Sequence, residues 1–224
     1  TSEVLPLMTL LRDETPDIAS EAVRALRTHA ANPVVKSGLE TAAGFFTAAP
    51  ALREQLALTL GTESPTLRPT DDTAWITALM RLGAPDSAER GRQVFFSATA
   101  MCSSCHVAEG RGVIVGPNLG NIARSSNRMK LIQSILEPTR EIGPLYGTKA
   151  VTMKDGSVNS GVQAIKDGGG NLILLQPGGV VIPAPRINIV RVDETPVSLM
   201  PEGLELGLTV QDFRDLLAYL ETLK

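Results

Sequence analysis

The chain has two cysteines, which lie three positions apart and are followed directly by a histidine. They stand in the stretch "MCSSCHVAEGRG" as Cys102, Cys105 and His106, and the 224 residues contain no further cysteine. C-x-x-C-H is the pattern through which haem c is attached. Two thiols at this spacing on a short helical turn reach the two vinyl groups at one edge of a porphyrin, and the histidine then lies beneath the iron. The pattern predicts one covalent haem c with His106 as an iron ligand.

Three other kinds of thiol chemistry fit this stretch less well. A thioredoxin-like redox pair lies at a strand-to-helix junction, and the residues before Cys102 do not have the pattern of a strand. A zinc site needs about four ligands, whereas the only other histidine is His29. A disulfide between Cys102 and Cys105 would close a very short loop and would stabilise the fold little. Haem attachment is therefore the favoured chemistry.

Helical segments precede and follow the cysteine pattern. The stretch "DSAERGRQVFFSA" comes before it, and "SSNRMKLIQSILEP" follows as a helix that ends before Pro138. The last segment, "LTVQDFRDLLAYLETLK", has Thr209 and Asp212 at the spacing of a capping box. Its apolar residues recur at helical spacing: Phe213, Leu216, Leu217, Leu220 and Leu223. We expect residues 85–142 and 193–224 to form one helical domain around the cysteines.

The remaining two regions, residues 1–84 and 143–192, differ in the spacing of their apolar residues. Residues 1–84 show short helical patterns, with Pro16 and Pro33 at first helical positions, and these patterns resemble a small HEAT-like stack. Residues 143–192 contain β-branched runs broken by glycine pairs such as Gly178-Gly179, which predict four or five antiparallel strands. We interpret this β segment as a structural insertion without an active site of its own.

Composition narrows the function classes. Hydrophobic residues make up 43% of the chain and the net charge is −3, which gives no reason to expect a nucleic-acid partner. No apolar run approaches the roughly 18 residues of a membrane span, so no transmembrane segment is predicted in this chain.

The chain opens at Thr1 rather than Met. An exported protein whose signal peptide is absent from this chain is consistent with that start.

The motifs around the cysteines resemble the class I cytochrome c fold. In that family the first and last helices cross tightly, with a glycine allowing the close approach and aromatic rings locking it. Gly91 and Phe95 in "GRQVF" match the first helix, and Leu216 and Tyr219 in "DLLAYL" match the last. The resemblance implies a mainly α fold with a small β insertion, that is, a cytochrome c fold preceded by the HEAT-like helices.

The stretch "VGPNL" also matches this family. Pro117 lies eleven residues after His106, where the family's proline carbonyl accepts a hydrogen bond from the second nitrogen of the iron-bound imidazole. Such a bond fixes the ring and strengthens the ligand. By the same resemblance, Leu119 packs on the haem.

A second axial ligand is expected on a loop just before the last helix. Among the six methionines, Met200 in "SLMPEGL" occupies that place, and the resemblance implies that its sulfur binds the iron. Met153 belongs to the β segment, where core packing is the default. Arg124, seven residues after Pro117, is a candidate partner for a haem propionate, with an ordinary surface arginine as the alternative.

A narrower resemblance covers residues from about 88 to the end and includes the β insertion. The ordered motifs are similar to the haem-binding domain of large planctomycete and verrucomicrobial proteins: "GRQVFFS…CSSCH…GRG…VGPNL…SILEP…LYGTKAVTMKDGSVNSG…SLMPEGL…DLLAYLETL". There the domain follows helical repeats and a sugar-dehydrogenase-like propeller. The resemblance implies periplasmic electron transfer, with electrons accepted from a fused or partner dehydrogenase.

Two alternatives to an electron carrier stay open at the level of sequence. One is a pentacoordinate haem that senses small ligands or reduces peroxide, which requires Met200 to be away from the iron. The other is a mainly structural haem with the helical region as a protein-docking module. Ligand binding at the iron discriminates the first alternative from the carrier.

Overall fold

The structure, a computed structural model, describes residues 4–45, 49–62, 68–81, 86–166 and 168–224. Its helices in these ranges are α1 (Val4–Leu10), α2 (Pro16–Leu26), α3 (Pro33–Phe45), α4 (Pro50–Leu60), α5 (Asp72–Met80), α6 (Ala88–Phe96), α7 (Arg128–Leu136) and α8 (Val210–Leu220). Its strands are β1 (Val107–Ala108), β2 (Arg111–Gly112), β3 (Thr148–Met153), β4 (Val158–Lys166), β5 (Leu172–Gln176), β6 (Val180–Ala184) and β7 (Ile189–Glu194). The expected mainly helical chain with a β segment is therefore observed.

The chain forms two compact units. The first consists of residues 1–101 and 204–222, and the second of residues 102–203 and 223–224. The first unit thus contains α1 to α6 and α8, and the second contains α7 and all seven strands. The division predicted from the sequence stays a prediction, and its boundary between residues 84 and 85 lies outside the described residues.

Helices α1 to α4 form an apolar core of their own within the first unit. Proline occupies the first turn of α2, where its missing N–H costs no helical hydrogen bond. The buried residues of this core are Val4, Leu11, Ala19, Ala22, Val23, Leu26, Val35, Leu39, Ala42, Leu52 and Leu56. The helical character predicted for this region is observed, whereas a HEAT-like arrangement stays a prediction.

Helices α6 and α8 cross closely in the same unit. Gly91 is buried on α6, and a methyl group added to it would overlap the backbone carbonyl of Asp215 on α8. The rings of Phe95 and Tyr219 meet edge to face, with centroids 5.6 Å apart. The glycine and the aromatic pair therefore meet at one crossing, the arrangement that the resemblance implies.

Helix α8 begins at the predicted capping box. The Thr209 side chain accepts from the backbone N–H of Asp212, and the Asp212 carboxylate accepts from the backbone N–H of Thr209. Asp212 also receives hydrogen bonds from Arg24 (2.5 Å) and from Gln55 (2.6 Å), which belong to α2 and α4. One carboxylate therefore both caps α8 and joins it to the N-terminal helices.

The β segment is a five-stranded antiparallel sheet with the order β6-β5-β4-β3-β7. The turn at Asp155-Gly156 joins β3 to β4, with Gly156 at a positive φ of 86°. One face of the sheet has a core formed by Val151, Met153, Leu172, Leu174 and Ala184. None of the helices in the described ranges has the length and apolar character needed to cross a membrane.

Candidate haem-binding site

The C-x-x-C-H stretch folds into a single tight turn in the second unit. Cys102–Ser104 form a 3-10 turn, and the backbone N–H groups of Cys105 and His106 donate to the Cys102 carbonyl at 3.2 and 2.9 Å. Cys102 and Cys105 are thiols rather than a disulfide. The turn brings both thiols and the imidazole together on one short piece of backbone, as haem attachment requires.

A following strap holds this turn through its carbonyl groups. The N–H of Val113 donates to the Ser103 carbonyl at 3.1 Å, and those of Val115 and Gly116 donate to the Cys105 carbonyl at 3.0 and 2.7 Å. The residues between turn and strap form the β1–β2 hairpin. The C-x-x-C-H turn is therefore fixed by backbone bonds that do not use the thiols or the imidazole.

His106 is oriented by a carbonyl oxygen. Its Nδ1 atom lies 2.8 Å from the carbonyl oxygen of Pro117, the hydrogen bond that the cytochrome resemblance implies. A carbonyl can only accept, so Nδ1 carries the proton and Nε2 keeps its lone pair. That tautomer is the one in which Nε2 can bind a metal.

Gly116 provides the space in which the imidazole stands. A Cβ at this position would lie 2.6 Å from Cε1 of His106, which is closer than atoms of this kind come, and 3.0 Å from Nδ1, which is a tight contact. A Cβ on Gly112, whose φ is 107°, would overlap the backbone carbonyl of His106. The role of these two glycines was missed from the sequence, although the position of Gly116 next to Pro117 was the available signal.

Burial shifts the pKa values of two side chains in the C-x-x-C-H turn, Cys102 and His106. Burial raises the pKa of the Cys102 thiol to about 12, so this group is a neutral thiol at neutral pH. Burial also lowers the pKa of His106, against the opposing effect of the Pro117 carbonyl. Reactive redox cysteines have lowered thiol pKa values, so the upward shift of the Cys102 pKa is not that of an activated redox thiol.

The donor set of this turn fits haem c. It offers two thiols, a histidine whose Nδ1 is engaged by the Pro117 carbonyl, and a glycine that leaves the ring unobstructed. Within the described ranges, no three His, Cys, Asp or Glu side chains are grouped so that they could hold a metal ion. The zinc alternative therefore lacks a ligand set in that part of the chain.

The other predicted site residues lie at three further places. Leu119 is half-buried and follows the strap, and its N–H donates to the Val107 carbonyl at 2.8 Å, which places it beside the turn. Arg124 ends a 3-10 turn and its side chain is exposed. Its pairing with a propionate, like the packing of Leu119 on haem, stays a prediction.

Met200 lies on the irregular segment between β7 and α8, as expected. Its side chain is half-buried, and its backbone N–H donates to Ser198 Oγ at 3.1 Å. The Ser198 N–H in turn donates to Thr139 Oγ1 at 3.3 Å, which ties the loop to the residues that follow α7. Met153, by contrast, is buried in the core of the sheet. Ligation by Met200 stays a prediction.

The β segment reaches the haem-attachment turn. The 3-10 turn Pro177–Gly179 between β5 and β6 lies against the turn Cys102–Ser104. A Cβ on Gly179 would come within 3.0 Å of a Val113 methyl group, so the two segments approach closely there. The sequence predicted a structural insertion without an active site of its own and did not identify its contacts; the turn between β5 and β6 packs beside the C-x-x-C-H motif.

A comparison with protein families bears on the same region. Residues 88–167 match the family model of cytochrome c, which supports a c-type cytochrome domain from α6 into the sheet. Proteins of that family bind haem c covalently and generally transfer electrons. The matched region ends before Met200 and α8. No curated protein matches the chain.

Proposed function

We propose that this chain carries single electrons through one covalent haem c with His106 and Met200 as axial ligands. Residues 85–142 and 193–224 form the haem domain, residues 143–192 are the β insertion, and residues 1–84 are a HEAT-like region. The observation that carries the proposal is the C-x-x-C-H turn whose histidine donates from Nδ1 to the Pro117 carbonyl at 2.8 Å.

The residues of the chain have distinct tasks in this proposal. Haem supplies a one-electron Fe(III)/Fe(II) couple when bound. Cys102 and Cys105 fix it to the chain through thioether bonds. His106 presents Nε2 because the Pro117 carbonyl holds the proton on Nδ1. The thioether of Met200 favours the reduced metal and so raises the reduction potential.

The partner and the compartment follow from the narrower resemblance. We propose an exported, periplasmic protein, because proteins of the cytochrome c family are commonly extracellular or periplasmic. The electron donor is a fused or partner dehydrogenase, as in the planctomycete and verrucomicrobial proteins that the motifs resemble.

The test of this function is a spectrum combined with carbon monoxide binding. In the matured protein, Met200 ligation predicts a weak far-red charge-transfer band in the ferric state and slow carbon monoxide binding in the ferrous state. Met200→Ala should remove the band, lower the potential and open the iron to carbon monoxide, because water stabilises Fe(III) better than a thioether.

Met153→Leu is the matched control, because it removes a methionine sulfur that is buried in the sheet core. It should leave the spectrum unchanged. Fast carbon monoxide binding by the unmutated protein would contradict the electron-carrier proposal and favour a pentacoordinate sensor or peroxidase-like enzyme. Loss of the band in Met153→Leu alone would show that the other sulfur is the ligand.

A further inference from the structure

The position of the turn between β5 and β6 is set by the sheet. The turn consists of Pro177–Gly179, and the residues on either side of it pair with each other across the hairpin. Gly178 and Gly179 have positive φ values of 77° and 76°, which let the backbone reverse its direction within three residues. The Gln176 side-chain amide donates to the Ser160 carbonyl at 2.7 Å, which ties the base of the turn to β4.

This turn packs against Val113, the first residue of the strap. The strap is residues 113–116, whose backbone donates to the C-x-x-C-H turn. A Cβ on Gly179 would lie 3.0 Å from a Val113 methyl group, so the glycine backbone already approaches that side chain closely. The N–H of Val113 donates to the Ser103 carbonyl at 3.1 Å. Val113 is therefore held from two sides, by the β5–β6 turn at its side chain and by the C-x-x-C-H turn at its backbone.

The other end of the strap orients His106. The N–H of Gly116 donates to the Cys105 carbonyl at 2.7 Å, and its missing side chain leaves the space for the imidazole. The next residue, Pro117, accepts the hydrogen bond of His106 Nδ1 at 2.8 Å. Val113 precedes Gly116 by three residues, which span at most about 11 Å. A displacement of Val113 therefore reaches, along one short segment, the two residues that set the ring.

We propose that the β5–β6 turn is a positioning element for the imidazole of His106 and that it acts through Val113. The inference rests on the proposed function, because it requires His106 to be an iron ligand. It gives the β insertion a task in the haem site, which is to keep the strap in place and so to keep the Pro117 carbonyl in line with Nδ1.

This task predicts a change at the iron when the strap is loosened. A hydrogen bond at Nδ1 makes an imidazole a more basic ligand, and a more basic ligand stabilises Fe(III). A weaker bond to Pro117 should therefore raise the reduction potential. An insertion that only filled space would, when its packing is disturbed, lower the free energy of unfolding and leave the potential and the Nδ1 proton unchanged.

The experiment compares Gly179→Ala with Gly178→Ala in the matured full chain. The two glycines have nearly the same φ, so alanine is strained to a similar extent at either position. The added Cβ meets Val113 at position 179, whereas at position 178 it has no neighbour within 4 Å. Gly178→Ala is therefore the matched control. Val113→Ala removes the same contact from the opposite side and leaves the turn unstrained.

Three quantities are measured: the reduction potential, the exchange rate of the His106 Nδ1 proton in the reduced protein, and the exchange rates of the strap amides. In Gly179→Ala and in Val113→Ala we expect a higher potential. We also expect both kinds of exchange to be about threefold faster or more, as for residues coupled by direct contact. Gly178→Ala should match the unmutated protein in the potential and in the Nδ1 exchange rate.

A double variant tests whether Val113 carries the effect. Val113→Ala makes room for the methyl group of Gly179→Ala, so the two changes together should raise the potential no further than Val113→Ala alone. Additive rises would mean that the turn acts on the iron by another route and would overturn the role of Val113. If Gly179→Ala does not fold, Val113→Ala decides through the same three quantities.

The positioning role is overturned if Gly179→Ala and Gly178→Ala have equal potentials. Faster exchange of the strap amides with an unchanged potential and an unchanged Nδ1 exchange rate overturns it as well, because the turn then only stabilises the strap. In both cases an intact mass with one haem leaves the carrier proposal standing. If the unmutated protein carries no haem, both proposals fall.

Discussion

At the scale of single residues, the orientation of one imidazole depends on a carbonyl and a missing side chain. The Pro117 carbonyl sets the tautomer of His106, and Gly116 leaves room for the ring. The carbonyl alone would not orient the ring, because a methyl group at position 116 would come too close to Cε1 of His106. The residue before the proline is therefore as necessary to the geometry as the proline.

Gly116→Ala tests that statement. Overpacking at a fixed site costs about 1–3 kcal/mol, so we expect the free energy of unfolding to fall by about that amount and the His106 ring signals to shift in NMR spectra. Gly147→Ala is the control, because a Cβ at that position has no neighbour within 4 Å. Equal behaviour of the two variants would contradict the role of Gly116.

At the scale of elements, the crossing of α6 and α8 was predictable and the placement of the β5–β6 turn was not. Gly91 and Phe95 on one helix and Tyr219 on the other are sequence signals of a close helix pair, and the capping box at Thr209 marked the start of α8. Antiparallel strands followed from β-branched runs between glycine pairs. The contact between Gly179 and Val113 joins distant segments, and neither has a local pattern that names the other.

Gly91→Ala measures the tightness of the helix crossing. The added methyl group meets the backbone of Asp215 rather than a movable side chain, so the helices must separate and the free energy of unfolding should fall by about 2 kcal/mol or more. Gly44→Ala on α3 has no neighbour within 4 Å and should raise it by about 0.5–1 kcal/mol through helix propensity. The free energy of unfolding is measured by chemical denaturation. If it falls equally in both variants, the close contact between α6 and α8 at Gly91 is not what Gly91→Ala disrupts.

At the scale of the molecule, the N-terminal helices and α8 share buried polar contacts that the sequence did not reveal. Arg24 and Asp212 are 4% and 3% exposed and pair at 2.5 Å across 188 positions. Burial lowers the pKa of Arg24, but Asp212 and Glu21 together raise it by more, so the net shift is upward and the group stays charged. Sequence patterns showed both segments as helices and showed Asp212 as a cap. They could not show that Asp212, the capping residue of α8, also pairs with Arg24 on α2.

Asp212→Ala should therefore destabilise the whole first unit. Breaking a buried ion pair costs about 3–5 kcal/mol; because Arg24 keeps Glu21 as a second partner, we expect a loss near the lower end, about 3 kcal/mol. Lys36→Ala is the control, since its pair with Glu40 is exposed and 4.0 Å long and contributes less than about 0.5 kcal/mol. A loss below about 1 kcal/mol for Asp212→Ala in urea denaturation would mean that the N-terminal helices are not coupled to α8 through this pair.

The most direct test of covalent haem attachment is the intact mass of the protein matured in cells that attach haem c. We predict the 23.8 kDa chain plus one haem, a pigment that acid–acetone does not extract, and loss of the added mass when Cys102 and Cys105 are both replaced by alanine. A chain without added mass, a pigment that acid–acetone removes, or one zinc ion in place of haem would contradict the proposal that this chain carries electrons through haem c.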